Sequence, residues 1–203
     1  MDPKSLFKIT YGLYLLTARE FGVDNGCIIN TAIQLSSDPL RIGVSVLKAN
    51  KTHDMIQRTG AFGLSAITTE ADFALFQRFG MQSGRDVDKF SDYPYVTRTP
   101  STIYRLSKYA NMYMTAVVTQ EVDLGSHTMF IAEITDAEVL SEEPACTYTY
   151  YQDHIKPKPV VQPTEKKQWV CTVCGYVYEG EELPDDFICP WCKHGKEDFE
   201  LQK

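Results

Sequence analysis

Apolar and polar residues alternate with a period of two along several stretches of the chain, as they do in half-buried β-strands. Arg41–Val46 and Ala61–Ala66 are two short stretches of this kind, and Met112–Asp123 and Thr128–Leu140 are two longer ones. The longer pair flanks Leu124-Gly125-Ser126, a turn sequence that predicts a β-hairpin. Strands outnumber helical segments and do not alternate regularly with them, so the pattern predicts a mainly β barrel with a few short helices.

Helical signals occur in three segments. A helix at the N-terminus is predicted by an N-cap, a first-turn proline and apolar residues at helical spacing: Asp2, Pro3, Leu6, Ile9 and Leu13. In the second segment, Thr52 is placed to cap a helix that continues to Arg58 and ends at Gly60. The third is Glu70–Phe79, closed by Gly80.

The composition changes near residue 156, where Lys156–Pro163 is rich in proline and poor in core-forming residues. We therefore predict a barrel domain over residues 1–155, a Pro/Lys-rich linker over 156–168 and a small domain over 169–203. The linker carries four lysines and one glutamate, whereas the small domain carries three lysines and eight acidic residues. An acidic module on a basic tether is the predicted organisation.

The bulk properties exclude several classes of function. The formal net charge is -7, and no basic stripe is available to contact nucleic-acid phosphates. No apolar run reaches the roughly 18 residues that a membrane span requires, and the N-terminal sequence does not resemble a signal peptide. Six cysteines in a chain without an export signal indicate a reducing cytoplasm, where paired cysteines bind metal ions rather than form disulfides.

The strongest chemical signal is a pair of C-x-x-C motifs near the C-terminus, formed by Cys171, Cys174, Cys189 and Cys192. Four thiolates at this spacing can converge on one ion with tetrahedral geometry. The ligands alone leave the metal open between a structural zinc and a redox-active iron. A domain this small cannot form a hydrophobic core without help. We therefore expect the metal and four aromatic residues to form the core together: Trp169, Tyr176, Phe187 and Phe199.

The residues around these cysteines resemble the rubredoxin family. An aromatic residue precedes Cys171, Gly175-Tyr176 follows Cys174, and Pro-x-Asp-Phe precedes the second pair. The resemblance covers residues 169–200 and implies one iron per chain, bound by Cys171, Cys174, Cys189 and Cys192. Rubredoxins usually have glycine after the last ligand, where this chain has Lys193. That difference affects the surroundings of the sulfur rather than the ligand set.

In the first 155 residues, neither a dinucleotide-binding glycine fingerprint nor a P-loop occurs. The residues themselves suggest only an anion site, since Ser45, Asn50, Lys51 and Thr52 gather hydroxyls, an amide and a cation near a strand end and a helix N-terminus. An ordinary capped turn explains the same residues.

Several further segments resemble the flavin reductase-like split-barrel flavoproteins: Lys8–Tyr14, Asn30–Gln34, Asn50–His53, Ser83–Phe90 and His127–Phe130. This resemblance implies FMN at a homodimer interface, with its phosphate near Asn50, Lys51 and Thr52. It also implies a flavin ring along Asn30–Gln34. The candidate cofactor-binding residues are Asn30, Thr31, Ala32, Ile33, Gln34, Ser45, Val46, Leu47, Asn50, Lys51, Thr52, Arg85 and Lys89.

Other residues have two interpretations each. Arg85 and Lys89 would clamp the phosphate or gate the site, unless they belong to a solvated charged loop. His127 is the candidate catalytic residue, contacting nicotinamide or flavin, unless it is a plain turn histidine. Cys27 and Cys146 are interpreted as buried thiols without a redox role.

Taken as a whole, the chain resembles the high-molecular-weight rubredoxins. That resemblance implies electron transfer from NAD(P)H through FMN to the iron, and onward to a flavodiiron-type oxygen or nitric oxide reductase. Flavin links a two-electron hydride donor to a one-electron metal. Two alternatives stay open: a free-flavin or ferric reductase whose small module only docks partners, and a non-enzymatic binding protein stapled by zinc.

Overall fold

The computed structural model describes Ser5 and residues 8–158, 167–191 and 194–202. Several residues discussed above lie outside this part of the chain: Asp2, Pro3, Leu6, Cys192, Lys193 and residues 159–166 of the predicted linker.

The centre of the protein is a seven-stranded antiparallel sheet with the strand order β2-β1-β5-β8-β9-β4-β3. Its strands are β1 (Tyr14–Glu20), β2 (Val23–Ile29), β3 (Ala32–Ser37), β4 (Leu40–Leu47), β5 (Ala61–Ile67), β8 (Ala110–Asp123) and β9 (His127–Val139). All four predicted strands are confirmed, and so is the hairpin, whose Gly125 has a φ of 83°. A separate pair, β6 (Val96–Arg98) and β7 (Tyr104–Leu106), completes the large unit. The mainly β split-barrel prediction is therefore confirmed.

Two helices lie beside this sheet, α1 (Lys51–Thr59) and α2 (Phe73–Gly80). The predicted end of α1 is right, since Gly60 adopts the left-handed conformation with a φ of 67°. The predicted cap is wrong: Asn50 is the N-cap, and Thr52 lies buried within the first turn. Helix α2 begins three residues later than predicted, because the Asp72 carboxylate caps it by accepting the Leu75 N–H at 3.1 Å.

The predicted N-terminal helix does not extend to Leu13. The Leu13 N–H donates to the Cys146 carbonyl and the Leu13 carbonyl accepts from the Ile67 N–H, each at 3.0 Å. These contacts hold Leu13 in extended backbone, where its side chain is buried. Tertiary pairing therefore overrides the helical spacing of the local sequence.

The barrel contains two apolar clusters. One lies between the strands and α1 and includes Val44, Ile56, Phe62 and Phe130, all of which are fully buried. The other packs α2 against the residues that end the barrel, and it includes Leu75, Phe79 and Cys146. Short helical turns at Tyr148–Tyr150 and Tyr151–Ile155 close this second cluster.

The C-terminal module is a three-stranded antiparallel sheet with the order β11-β10-β12. Its strands are β10 (Gln168–Cys171), β11 (Val177–Glu179) and β12 (Phe199–Leu201), and a 3-10 turn at Lys196–Asp198 precedes β12. Among the helices of the described residues, none is both long and apolar enough to cross a membrane.

Candidate cofactor and metal sites

Three of the four predicted metal ligands lie together in the C-terminal module. Cys171, Cys174 and Cys189 are buried, and their sulfur atoms all lie within 4.8 Å of one another. The Cys174 and Cys189 sulfurs are 3.5 Å apart. In a tetrahedral site with metal–sulfur bonds of about 2.3 Å, the sulfurs would be roughly 3.8 Å apart, so the donor set fits one metal ion.

Backbone hydrogen bonds shape the turns that carry these thiolates. The Gly175 N–H donates to the Cys171 carbonyl at 2.8 Å, and Gly175 has a φ of 84°, which closes the first turn. In the second turn, the Cys189 N–H donates to the His194 carbonyl at 2.8 Å. The turns place the sulfurs toward a common point.

The core of the module is built around the cysteines, as predicted. Its buried members are Cys171, Cys174, Leu183, Cys189 and Phe199. Phe187 packs edge-on against Phe199, with ring centroids 5.3 Å apart, and Trp169 and Tyr176 pack against the same cluster. Three of the five buried side chains that the structure describes in this cluster are thiols, so bound metal is needed to complete this core.

A polar cavity of about 370 Å³ lies in the barrel where α1 begins. Five predicted residues line it: Leu47, Asn50, Lys51, Thr52 and Lys89. The Asn50 side chain makes no capping hydrogen bond, so the first turn of α1 presents its N–H groups without a side-chain cap. A helix N-terminus beside lysine and hydroxyl groups favours an anionic group such as a phosphate.

The walls of this cavity are fixed by hydrogen bonds. The Lys51 Nζ donates to the Gly84 carbonyl at 2.9 Å, and the Asn25 amide donates to the Thr52 hydroxyl at 2.9 Å. At Gly84, a Cβ would collide with the Asn25 side chain, so the backbone approaches this wall as only glycine can. The arrangement holds the residues of the anion site in place.

Lys89 is not part of a solvated loop, and Arg85 is not a free guanidinium that could clamp a phosphate. The Lys89 ammonium is buried and donates to the Gly26 and Phe79 carbonyls, each at 3.0 Å. Burial lowers the pKa of Lys89 to about 8. Arg85 instead donates to the Asp54 carboxylate at 2.6 Å and is half exposed, and this guanidinium lowers the pKa of Asp54.

The predicted ring-binding segment lies apart from the lining of the polar cavity. Thr31 is pinned to β4, since its hydroxyl donates to the Ser45 carbonyl at 2.9 Å. Ala32, Ile33 and Gln34 begin the edge strand β3, and Ile33 is 61% exposed. This segment therefore offers an open edge beside β4, with Asn30 at its start.

The remaining candidates lie at the same end of β4, directly after Ser45. The Val46 side chain is in the barrel core, while Leu47 pairs with His127 across β4 and β9. The His127 Nδ1 lies 2.8 Å from the Ser126 hydroxyl, so this partly exposed imidazole is held by the hairpin turn.

Sequence reasoning did not select Asn25, Ser83, Gly84, Met81 or His194, all of which line the polar cavity. Asn25 carried little signal, because it follows Asp24 in the polar first half of β2. Ser83 and Gly84 lie in the Ser83–Phe90 segment of the family resemblance. Met81 and His194 reach the cavity only through tertiary structure.

A second, more apolar cavity of about 640 Å³ adjoins the polar one, and Gly80 and Met81 line both. Its barrel walls include Leu13, Ile28, Phe76, Tyr148 and Tyr151. The Tyr151 ring packs against Phe76 in this wall, with ring centroids 4.5 Å apart and a tilt of 45° between the rings.

The two barrel thiols and His53 are buried. Cys27 and Cys146 are buried, and burial raises the pKa of both, that of Cys146 to about 11. These thiols are therefore protonated near neutral pH and unreactive. His53 is also buried, and its ring nitrogens lie 2.8 Å from the Thr128 hydroxyl and 3.1 Å from the Asp54 carboxylate.

Two protein families match this chain. The flavin reductase like domain family matches residues 6–158, and the rubrerythrin, rubredoxin-like domain family matches residues 169–200. The chain is 36% identical to the high molecular weight rubredoxin of Moorella thermoacetica, across 98% of this chain and 99% of that protein. It is also 36% identical to a ferric-chelate reductase (NAD(P)H) of Archaeoglobus fulgidus, across 74% of this chain and 89% of that protein.

Solved structures support the fold. An FMN-binding protein from Thermus thermophilus aligns with a TM-score of 0.66 at 18% identity, covering 90% of this chain and 94% of that one. The flavin reductase PheA2 aligns over 70% of this chain and 90% of its own, with a TM-score of 0.59. The barrel and the cysteine cluster together indicate an oxidoreductase that transfers electrons with flavin and iron. The chain belongs to the flavin reductase like family and carries a C-terminal rubredoxin-like domain.

Proposed function

We propose that the protein takes electrons from NAD(P)H, passes them through FMN to a four-cysteine iron site and delivers them to an acceptor protein. The observation that carries this proposal is the position of the thiolate module beside the polar cavity of the barrel, where His194 forms part of the cavity wall. When bound, flavin accepts a hydride and gives up electrons one at a time, which suits a one-electron metal.

The barrel residues would bind the cofactor as follows. Asn50, Lys51 and Thr52 would hold the phosphate of FMN at the first turn of α1, with Ser83 and Gly84 closing the far wall. The Asn30–Gln34 segment and Ser45–Leu47 would lie along the flavin ring. Arg85 would hold the Asp54 carboxylate in place rather than contact the cofactor itself. His127 would contact the flavin ring or the nicotinamide.

The proposed metal is iron, bound by Cys171, Cys174, Cys189 and Cys192. The thiolate donor set suits both iron and zinc. The rubredoxin-like match over residues 169–200 favours iron. The same match supports the proposed division into a barrel over 1–155, a linker over 156–168 and a module over 169–203.

We further propose a homodimer in the cytoplasm, with a flavodiiron-type protein as the acceptor and neither nucleic acid nor membrane as a partner. Exposed apolar side chains on the β3–β4 edge support the dimer: Ile33, Leu35 and Leu40 are 61%, 43% and 42% exposed. A second copy covering this edge would enclose the proposed ring-binding segment.

A second candidate is a ferric reductase that works without the iron module. The relative from Archaeoglobus fulgidus supports it, because the similarity covers only 74% of this chain and that protein is named for ferric chelates. A Cys189→Ala variant separates the two functions. If the protein is a ferric reductase, this variant would still reduce ferric chelates. If electrons pass through the iron site, the variant would no longer deliver them to a protein acceptor.

The direct test is an anaerobic visible spectrum of iron-replete protein before and after two equivalents of NADH, repeated with NADPH, since one FMN and one ferric iron together take three electrons and each NADH supplies two. We expect overlapping flavin and ferric-thiolate bands that bleach together. Bleaching of the flavin alone would contradict the proposal and favour the reductase. Zinc and the absence of visible bands in metal-replete protein would favour the binding-protein alternative.

A further inference from the structure

The C-terminal module contacts the barrel at both ends of α2, through Phe73 in its first turn and Met81 at its C-cap. The Trp191 and Phe73 rings lie with centroids 6.5 Å apart, and Trp191 also meets Tyr176 edge-on at 5.4 Å. Met81 packs against the apolar cluster of the barrel and also against the cysteine-containing cluster of the module. The Lys156 ammonium adds a long hydrogen bond of 3.4 Å to the Thr172 carbonyl.

This contact adds wall residues to two cavities of the barrel. Thr172 and Val173 form part of the wall of the apolar cavity, and His194 forms part of the wall of the polar one. Since Met81 lines both cavities, the module covers the point where they adjoin. A phosphate-bearing ligand in the polar cavity would therefore touch both units.

The module residues that line these two cavities or contact Phe73 lie beside metal ligands. Thr172 and Val173 separate Cys171 from Cys174, and Trp191 follows Cys189 by two residues. The His194 carbonyl accepts the Cys189 N–H. The side of the module that contacts the barrel is therefore the side on which the two cysteine turns come to the surface.

We propose that the metal-turn face, defined as Val173, Trp191 and His194, docks on its own chain's barrel beside Phe73 and Met81, and that an external acceptor competes for this same face. This inference rests on the proposed function for the direction of electron flow, but docking itself does not depend on it. Because electron transfer requires close approach to the thiolates, the metal-turn face serves the barrel and the acceptor in turn.

Docking is tested by the methyl signal of Met81 in protein labelled with ¹³C-methyl methionine. Ferric iron broadens nearby signals, so the Met81 signal of the full chain should be lost with iron and sharp with zinc in the same site. Met55, which is buried in the other barrel cluster, is the internal reference. An equally sharp Met81 signal with both metals would overturn docking in cis, whether or not the protein transfers electrons.

A Phe73→Ala variant should restore much of the Met81 signal in the iron form, because it removes the aromatic contact with Trp191. The matched control is Phe21→Ala, since Phe21 is fully exposed on the barrel; it should leave the signal broadened. If Phe73→Ala disturbs α2, Met81→Ala tests the same contact in the kinetic experiment below.

Competition is tested with cytochrome c, a basic one-electron acceptor that suits an acidic module. Each ferrous site gives one electron to one ferric haem and becomes ferric. Weakening the contact by Phe73→Ala or Met81→Ala should slow reduction of the iron by NADH several-fold and accelerate oxidation of pre-reduced iron by cytochrome c several-fold. In Phe73→Ala, unchanged or slower oxidation together with a restored Met81 signal would overturn the shared face. In Met81→Ala, slower reduction by NADH together with unchanged or slower oxidation would overturn it.

Discussion

The barrel and the C-terminal module bury their cores in different ways. Among the described residues, the two barrel clusters contain 14 and 11 buried residues, of which Cys27 and Cys146 are the cysteines. The described part of the module has a cluster of five buried residues, and three of them are cysteines in metal-ligand positions. The barrel can therefore fold on burial of apolar surface alone. The module depends on its metal, so one centre serves both its stability and its chemistry.

The largest predicted effect is the loss of folded structure in the module, but not in the barrel, when a metal ligand is removed. Cys189→Ala should unfold the module and leave the barrel folded, because binding of the metal supplies on the order of 10 kcal/mol to such domains. Amide NMR spectra would show signals of 169–200 collapsing into the random-coil region while barrel signals persist. Cys146→Ala, which replaces a buried thiol of the barrel, is the control that should leave the module intact. Loss of the barrel signals in Cys189→Ala would contradict the comparison.

A smaller effect concerns the buried ammonium of the barrel. The folded pKa of Lys89 is about 8, below its ordinary value of 10.5, so the unfolded chain keeps this proton to higher pH. The penalty for burying the charge is present below about pH 8, and it is relieved as the pH rises from 8 to 10.5. The relief is on the order of 3 kcal/mol at 1.36 kcal/mol for each pKa unit.

Comparison of the wild type with Lys89→Met isolates this contribution from the tyrosines and thiols that also titrate. The free energy of unfolding of the barrel, measured by urea denaturation, should rise in the wild type relative to the variant from pH 8 to 10. A constant difference over that range would show that Lys89 does not carry the shifted pKa.

The next prediction concerns FMN affinity at the anion site of the barrel, where the expected change in free energy is similar to or smaller than that for Lys89. Lys51→Ala should weaken FMN binding by roughly 10- to 100-fold, as expected for loss of a charged hydrogen-bond donor to phosphate. Titration of flavin-free protein by flavin fluorescence measures this. Lys48→Ala is the matched control, because Lys48 pairs with Asp123 at 2.7 Å outside the cavity. Equal affinities for both variants would contradict the phosphate assignment.

The smallest effect is expected on the surface of the module. Lys196 lies 2.6 Å from Asp185 and holds the pKa of this carboxyl below its ordinary value, but Asp185 is fully exposed. Water and salt screen such a pair. Asp185→Asn should therefore leave the thermal unfolding midpoint of the module unchanged within error. A clear decrease would show that the module depends on more than its metal and aromatic core.

Much of the fold could be predicted where the local pattern and the tertiary structure agree. The hairpin follows from a glycine turn between two alternating stretches, and the end of α1 follows from Gly60. The failure at Leu13 has the opposite cause. Its helical spacing is local, but the Ile67 and Cys146 backbones pair with it from distant parts of the chain.

The two candidate sites also differ in how far the sequence predicts them. The cysteine turns could be predicted because their ligands are close in sequence and chemically specific. The residues of the polar cavity could be predicted only in part, since Asn25 contacts Thr52 and Lys89 contacts Gly26 across large sequence separations. Contacts of this kind have no local pattern to reveal them.

The central claim is that electrons pass from the flavin of the barrel to the iron of the same protein. The most direct measurement is anaerobic rapid mixing of oxidised holoprotein with NADH, or NADPH if that is the active donor, followed at flavin and ferric-thiolate wavelengths. We predict that the flavin band falls first and the iron band follows at a rate independent of protein concentration. Iron that stays ferric, or is reduced at a rate proportional to protein concentration, would contradict the account.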